Sequence, residues 1–286
     1  MNLKSLFSLA IVAVLIAASG YAQKDNAKKT GIERDGLKGK VKSVKVTRYE
    51  AIEEFGKVTK GRVFGTITLA KYDDKGNRIE VGYDSYGSLD WSSTYKYDGK
   101  GNKIDGVIYN SDGSLRTKYI YKYDDKGNEV EWAIYNADGS LVVKYIYKYD
   151  DKENMIEEAG YDSDGSLDDS KYTYKYDDKG NQIEVAEYNS DGSLDSKYTY
   201  KYDDKGDMIG ETGYNSDGSL AWKYTFKYND KGNMIEETGY NSDGSLDIKS
   251  TYKYKFDSKG NWIEKIKYNG DIIAEEITER EIEYYE

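Results

Sequence analysis

The residues of this chain that could carry chemistry are carboxylates and aromatic rings. Its 286 residues include 53 Asp and Glu, 32 Tyr and 4 Trp, with no His, Cys or Pro. Without His the commonest general base and the commonest metal ligand are missing, and without Cys so are thiolate nucleophiles and zinc sites of the usual kind. Two acids facing one cleft could hydrolyse a glycosidic bond. Here the acids recur from repeat to repeat as a surface pattern and no unique cluster breaks the period, so no catalytic residue is assigned and no enzyme is expected. The stretch Asn215-Ser216-Asp217-Gly218-Ser219 and its copies place oxygen atoms at alternate loop positions, as calcium binding requires. The distal glutamate of a full calcium loop is absent and the same residues serve as turn formers, so neither metal nor cofactor is expected.

Aromatic rings displayed on a rigid sheet suit sugar rings or peptide. The candidate binding surface is therefore Trp91, Trp132 and Trp222, which depart locally from the repeat, together with Tyr147, Tyr174 and Tyr200. The competing role for these rings is to fill the core of a coiled sheet, since no other large side chains are available for it.

The elements that position these residues come from a repeat. Counted by D-x-K-G-N turns, the glycine place falls at Gly76, Gly101, Gly127, Glu153, Gly180, Gly206, Gly232 and Gly260, a period of about 26 residues. A second turn, S-D-G-S, as in Ser190 to Ser193, divides each period into two strands, so the unit is a β-hairpin. On the strand running into D-x-K-G-N, Tyr198, Tyr200 and Tyr202 share one face, and Lys197, Thr199 and Lys201 the other. Phe226 and Phe256 replace Tyr in later copies, which points to the ring rather than the hydroxyl. On the strand leaving the turn, Ile209 and Tyr214 have opposite parity, which predicts a bulge or close backbone approach, with Gly213 and Gly239 as the marks of it. In the first repeat Ile79, Val81 and Tyr83 share parity and the spacing to the next repeat is one residue short; a missing bulge residue explains both.

The domain plan runs as follows. Residues 1–22 read as a secretory signal peptide, with Lys4, an apolar run from Leu9 to Ala18 and small residues before Gln23. Residues 23–36 read as a disordered leader and 37–70 as N-terminal capping strands, with a parity slip between Val41 and Val44 that predicts an irregularity there. Residues 71–268 hold the hairpin repeats. Residues 269–286 form a C-terminal edge strand whose glutamates would blunt it against pairing. The expected fold is all-β: a long, twisted or coiled antiparallel meander, an open shell or a solenoid, because many strands accumulate twist. A membrane-spanning barrel is disfavoured by the Lys and Thr on one face and the Glu and Gly on the other.

The Tyr-Asp-x-x-Gly core, at Tyr72, Asp73 and Gly76, at Tyr123, Asp124 and Gly127, and at Tyr176, Asp177 and Gly180, resembles the YD repeats of the RHS and teneurin class. With the leader Leu37-Lys38-Gly39-Lys40-Val41-Lys42-Ser43-Val44, it also resembles small exported repeat proteins of Bacteroidetes type. The Tyr-Asn-Ser-Asp-Gly turn is similar, more weakly, to MORN-like hairpin repeats. The resemblance implies a strand-rich shell and carbohydrate-binding or surface roles, and it transfers no catalytic residue.

The formal net charge of −11 opposes nucleic-acid and anionic-membrane partners. The reading that follows is a non-catalytic exported scaffold presenting a β surface to a protein or glycan. It would be periplasmic, outer-surface or secreted, with no transmembrane segment after signal cleavage. The alternatives are an immunity-like inhibitor of a basic effector and a self-associating matrix protein.

Overall fold

The computed structural model describes residue 32 and residues 35–73, 78–83 and 88–286. The expected signal peptide, the leader up to residue 31 and the first D-x-K-G-N turn at Gly76 lie outside the described residues.

Alternating sequence and turn residues produce a run of antiparallel strands. In chain order these are β1 (Val41–Glu54), β2 (Lys57–Val63), β3 (Ile67–Tyr72), β4 (Arg78–Tyr83), β5 (Leu89–Tyr97), β6 (Lys103–Asn110), β7 (Leu115–Tyr123), β8 (Glu129–Asn136), β9 (Leu141–Tyr149) and β10 (Met155–Asp162). They continue as β11 (Leu167–Tyr176), β12 (Gln182–Asn189), β13 (Leu194–Tyr202), β14 (Met208–Asn215), β15 (Leu220–Tyr228), β16 (Met234–Asn241), β17 (Leu246–Phe256), β18 (Trp262–Asn269) and β19 (Ile273–Tyr284). Within residues 37–70, β1 runs on through Glu53 and Glu54 and turns back as β2.

Both corners are built from their own side chains. Between β7 and β8, the Asp124 N–H donates to the Asn128 carbonyl at 2.9 Å and the Gly127 N–H to the Asp124 carbonyl at 3.1 Å. The Asp124 carboxylate accepts the Asn128 N–H and its side-chain amide. Gly127 has φ +94°, the left-handed residue that a three-residue hairpin loop needs. Between β8 and β9, the Asp138 carboxylate accepts the N–H of Ser140 at 2.9 Å and its hydroxyl at 2.6 Å. The aspartates that could have suggested calcium are therefore engaged in closing turns.

The parity conflict resolves into a bulge that recurs at every D-x-K-G-N corner but the first. Lys201 pairs with Gly210 and Tyr202 with Met208, so Ile209 is the extra residue. Ile104, Val130, Ile156, Ile183, Ile235 and Ile263 occupy the same place. The β3–β4 ladder runs unbroken through Lys71–Ile79 and Tyr72–Arg78, so the first repeat does lack the residue. The expected slip also appears between Val41 and Ser43. The six bulges from Ile104 to Ile235 are each stapled by a tyrosine hydroxyl: Tyr149 donates to the Glu129 carbonyl at 2.6 Å, Tyr176 to Met155 at 2.7 Å and Tyr202 to Gln182 at 2.8 Å, and Tyr123, Tyr228 and Tyr254 do the same at Lys103, Met208 and Met234.

The expectation of an open meander, shell or solenoid is overturned by the ends of the sheet. β1 pairs with β19 from Val41–Tyr284 to Glu50–Glu276, and on its other side with β3 from Ser43–Lys71 to Val46–Thr68. β2 only prolongs the β1 hairpin past the reach of β3. Eighteen strands thus go round, and the sheet closes into an antiparallel barrel. The accumulating twist finds a partner edge after one circuit, which satisfies both rows of unpaired backbone groups at once. Residues 269–286 accordingly form no edge: β19 is hydrogen-bonded on both sides. The strands of residues 37–70 do not cap the array; they are its closing seam. The shell implied by YD repeats is likewise not what these hairpins build.

Closure assigns the two faces. Side chains on the inside of a cylinder converge and those outside diverge, so the face with deeply buried large residues is the inner one. Met155, Tyr174, Val185 and Tyr200 form its buried cluster, with Tyr147, Tyr149, Tyr172, Tyr176, Tyr198, Tyr202 and Met208 packed around them. On the other face Lys148, Lys175 and Lys255 have side chains 63%, 69% and 70% exposed while pairing with Glu157, Glu184 and Glu264.

Candidate functional site: the aromatic and charged inner wall

The inner wall takes its side chains from alternate positions of every strand, so its chemistry is read along rows around the barrel. Tyr147, Tyr174 and Tyr200 belong to the deepest row. Tyr174 and Tyr200 are 9% and 7% exposed, shielded by neighbouring rings on the same wall. Tyr174 and Tyr200 lie in the buried cluster of the wall, with Tyr147 half-buried against it.

The tryptophans lie elsewhere on the wall. Trp132 on β8 is stacked among Tyr119, Tyr121 and Tyr145, with centroid separations of 5.9, 6.4 and 5.2 Å. Trp91 lies over Gly82, where a Cβ would come within 2.2 Å of its ring. Trp222 covers Gly213 in the same way, at 2.5 Å, and contacts Tyr198 and Tyr224 at 5.8 and 5.3 Å. Gly213 and Gly239 mark both a bulge and a close approach: the register slips between Gly213 and Tyr214 and between Gly239 and Tyr240, and a cross-strand side chain lies over each glycine, Trp222 over Gly213 and Tyr224 with Ile248 over Gly239. The structure does not bring Trp91, Trp132 and Trp222 into one cluster: they stand on β5, β8 and β15.

Around Trp222 the wall also carries carboxylates that periodicity had disguised as surface pattern. Glu211 lies between Tyr200 and Tyr224 in the ladders. Burial, and then the charge of Glu237, push its carboxyl up to about 7. Glu237 accepts the Tyr252 hydroxyl at 2.9 Å. Glu187 accepts the hydroxyls of Tyr172 at 2.8 Å and Ser196 at 2.9 Å. Farther round, Glu158 is 5% exposed and accepts the Tyr174 hydroxyl at 2.7 Å; burial raises its carboxyl above the usual range. Trp222, Tyr198 and Tyr224 with Glu187, Glu211 and Glu237 therefore form one aromatic and acidic patch on the inner wall of β12–β17. Its signal was present in the chain, because the acids share parity with the buried tyrosines once the bulge is counted.

The period also breaks in a way the sequence reading missed. Counted from the turn, Lys265 occupies the place of Glu158, Glu211 and Glu237, so the wall changes sign at β18. It pairs with Thr278 in the β18–β19 ladder, and Thr278 in turn with Arg48. Arg280 lies on the same face, its guanidinium carbon 3.5 Å from the centroid of Trp262.

At the seam, Asp35 accepts the Tyr72 hydroxyl and pairs with Arg78 at 2.9 Å. Asn261 holds Lys38 through both its N–H and its carbonyl, at 2.8 and 2.9 Å. The segment before β1 is thereby fixed at the D-x-K-G-N end of the barrel. Among the described residues no group of three or more carboxylates could hold a metal ion.

No family model matches the chain, and no curated protein matches it. Among solved structures it is similar to a porin-like protein from Bacteroides uniformis ATCC 8492, at TM-score 0.45 and 13% identity over 85% of this chain and 98% of that one. A porin-like protein from Bacteroides vulgatus ATCC 8482 gives 0.31 and 12% over 86% and 99%. The TcdB2-TccC3-Cdc42 structure gives 0.32 and 15% over 84% of this chain and 15% of that one. The barrel stands on the β1–β19 ladder, not on these likenesses, and the expected place among YD-repeat proteins of the RHS and teneurin class is not upheld.

Proposed function

We propose that the protein is a non-catalytic β-barrel of the bacterial cell envelope that binds a glycan on the aromatic and acidic patch of its inner wall. The observation that carries this reading is Trp222 standing beside Tyr198 and Tyr224, with Glu211 and Glu237 on the adjoining strands. Ring faces stack on the apolar faces of sugars, and carboxylates accept hydrogen bonds from sugar hydroxyls. Charge on the outer wall supports an aqueous setting: five Lys–Glu pairs form a row beside the D-x-K-G-N corners between β7 and β18, where an apolar belt would not carry them. No helix among the described residues is long and apolar enough to cross a membrane, which says nothing of a crossing by strands.

The test is a glycan array probed with the mature protein, followed by titration of any hit with Trp222→Ala and the outer-wall control Lys175→Ala. The expected result is a hit whose affinity falls about tenfold or more in Trp222→Ala and is unchanged in the control. An array without hits, or release of hydrolysed sugar from a bound glycan, would overturn the proposal.

A further inference from the structure

The inner wall gathers three cations, Arg48, Lys265 and Arg280, at the β18–β19–β1 seam, with Glu276 acting on Lys265 and Asp35 on Arg280. Lys265 is half-buried, and both desolvation and the neighbouring Arg280, Arg48 and Lys267 lower its pKa, with only Glu276 opposing them. Burial also brings Arg280 down to about 10. The Nε of Arg280 is shut off from solvent and has no hydrogen-bond partner. The neighbouring carboxylates are held by other partners, and Glu276 keeps its charge near Lys265 without a direct ion pair. Glu276 accepts the Thr278 hydroxyl at 2.6 Å, Glu275 pairs with Lys267 at 3.2 Å, Glu50 pairs with Arg62 at 2.7 Å, and Asp35 holds Arg78 and Tyr72. Among the described residues Lys265, Arg280 and Arg48 form no ion pair.

Partly buried like charges in excess over their counter-charges are costly, and a well-placed anion relieves that cost in proportion to how little water competes for it. Arg48 is exposed, so solvent and small solutes reach the cluster from its side. The ring of Trp262 forms the floor beneath Arg280 and also lies 5.8 Å from the Lys265 ammonium.

We propose that Arg48, Lys265 and Arg280 at the β18–β19–β1 seam, the last two beside the Trp262 ring, form a binding site for a tetrahedral oxyanion such as sulfate or phosphate. The oxyanion could be a free ion or a group carried on a sugar. This site is separate from the Trp222 patch and does not depend on the glycan reading. It does give the wall two regions of opposite character, one acidic and one basic.

The experiment is thermal unfolding and calorimetric titration of the mature protein with inorganic sulfate, inorganic phosphate and a sulfated monosaccharide, at ionic strength held constant with chloride. Wild type should bind sulfate or phosphate saturably and melt higher in its presence than in chloride. Lys265→Met and Arg280→Met should weaken binding about tenfold or more and lose the anion-specific rise in Tm, while Lys122→Met on the outer wall behaves as wild type. Lys265→Met should also melt no lower than wild type in chloride, because it removes a repelled charge and keeps the stem; it decides the matter if Arg280→Met does not fold. Tighter binding of the sulfated sugar than of sulfate would assign the anion to a carbohydrate, and equal binding to a free ion. Absence of saturable binding to all three probes, or equal binding by wild type and both inner-wall variants, would overturn the proposal.

Discussion

Ser43 on the first barrel strand donates its hydroxyl proton to Glu283 on the last, at 3.0 Å and across 240 residues of chain. Around that contact run the nine register pairs of the β1–β19 ladder and the Lys45–Glu281 pair at 2.8 Å. The two strands that meet belong to neither turn repeat, and they convert a ribbon of similar hairpins into a closed wall. Everything inferred about an inside, whether the buried tyrosines, the acidic patch or the cationic seam, depends on that junction.

Glu153 stands where seven other corners have glycine, and its φ is +65°. A side chain in the left-handed region costs about 1–2 kcal/mol, and among the described residues the Glu153 carboxylate has no partner that compensates it. Glu153→Gly should raise stability by about 1 kcal/mol, read as a higher denaturation midpoint with unchanged m-value. A lower midpoint would mean that the glutamate contributes something beyond the turn.

The tyrosine rows differ in what their hydroxyls do. Tyr176 donates to the Met155 carbonyl at the bulge, whereas the Tyr147 hydroxyl has no hydrogen-bond partner among the described residues. Tyr176→Phe should therefore cost about 1 kcal/mol or somewhat more, and Tyr147→Phe should be close to neutral. Chemical denaturation of the two single variants checks the contrast.

Gly213 makes room for the Trp222 ring, and an added Cβ would lie 2.5 Å from it; Gly210, three residues earlier, has only ordinary contacts at 3.6 Å or more. Gly213→Ala should destabilise by about 1–3 kcal/mol and shift the tryptophan emission, while Gly210→Ala leaves the emission where it was.

Glu211 supplies a pH dependence with a definite sign. Its folded pKa of about 7 lies above the unfolded value near 4.3, so the folded state holds the extra proton between them. The stability this contributes is fully present below about pH 4.3 and is lost as pH rises through about 7. Glu211→Gln should flatten that part of the profile and be the more stable protein at pH 8, by about 2 kcal/mol at most given residual solvent access. Parallel profiles for the two proteins from pH 4 to 8 would show that the carboxyl ionises normally.

Much of the local structure was legible because each signal was local. The Asp-x-Lys-Gly-Asn and Ser-Asp-Gly-Ser corners, the Tyr198–Tyr200–Tyr202 face, the extra residue at Ile209 and its absence after Tyr72 all follow from turn chemistry and parity within a few residues. Phe256 does stand in the corner place of Tyr228, but β17 carries two more residues than β15, so Tyr254 keeps the staple, to the Met234 carbonyl at 2.8 Å. Closure was not legible, because pairing of Val46 with Arg280 depends on how twist accumulates over all the intervening strands and no residue at either end encodes it. The site was obscured for a related reason. Regularity made Glu211 and Glu237 look like surface acids, and only the inside of a closed wall gives Lys265 and Arg280 neighbours worth noticing.

The closure itself is tested most directly by distance. The chain has no cysteine, so Lys45→Cys with Glu281→Cys can carry two spin labels on the outer wall without interference, and pulsed dipolar spectroscopy reads their separation. A closed barrel predicts a single narrow distribution below about 20 Å, the reach of two labels on paired residues. An open sheet of this many strands would hold its ends on the order of 80 Å apart, and a long or broad distribution would contradict the barrel.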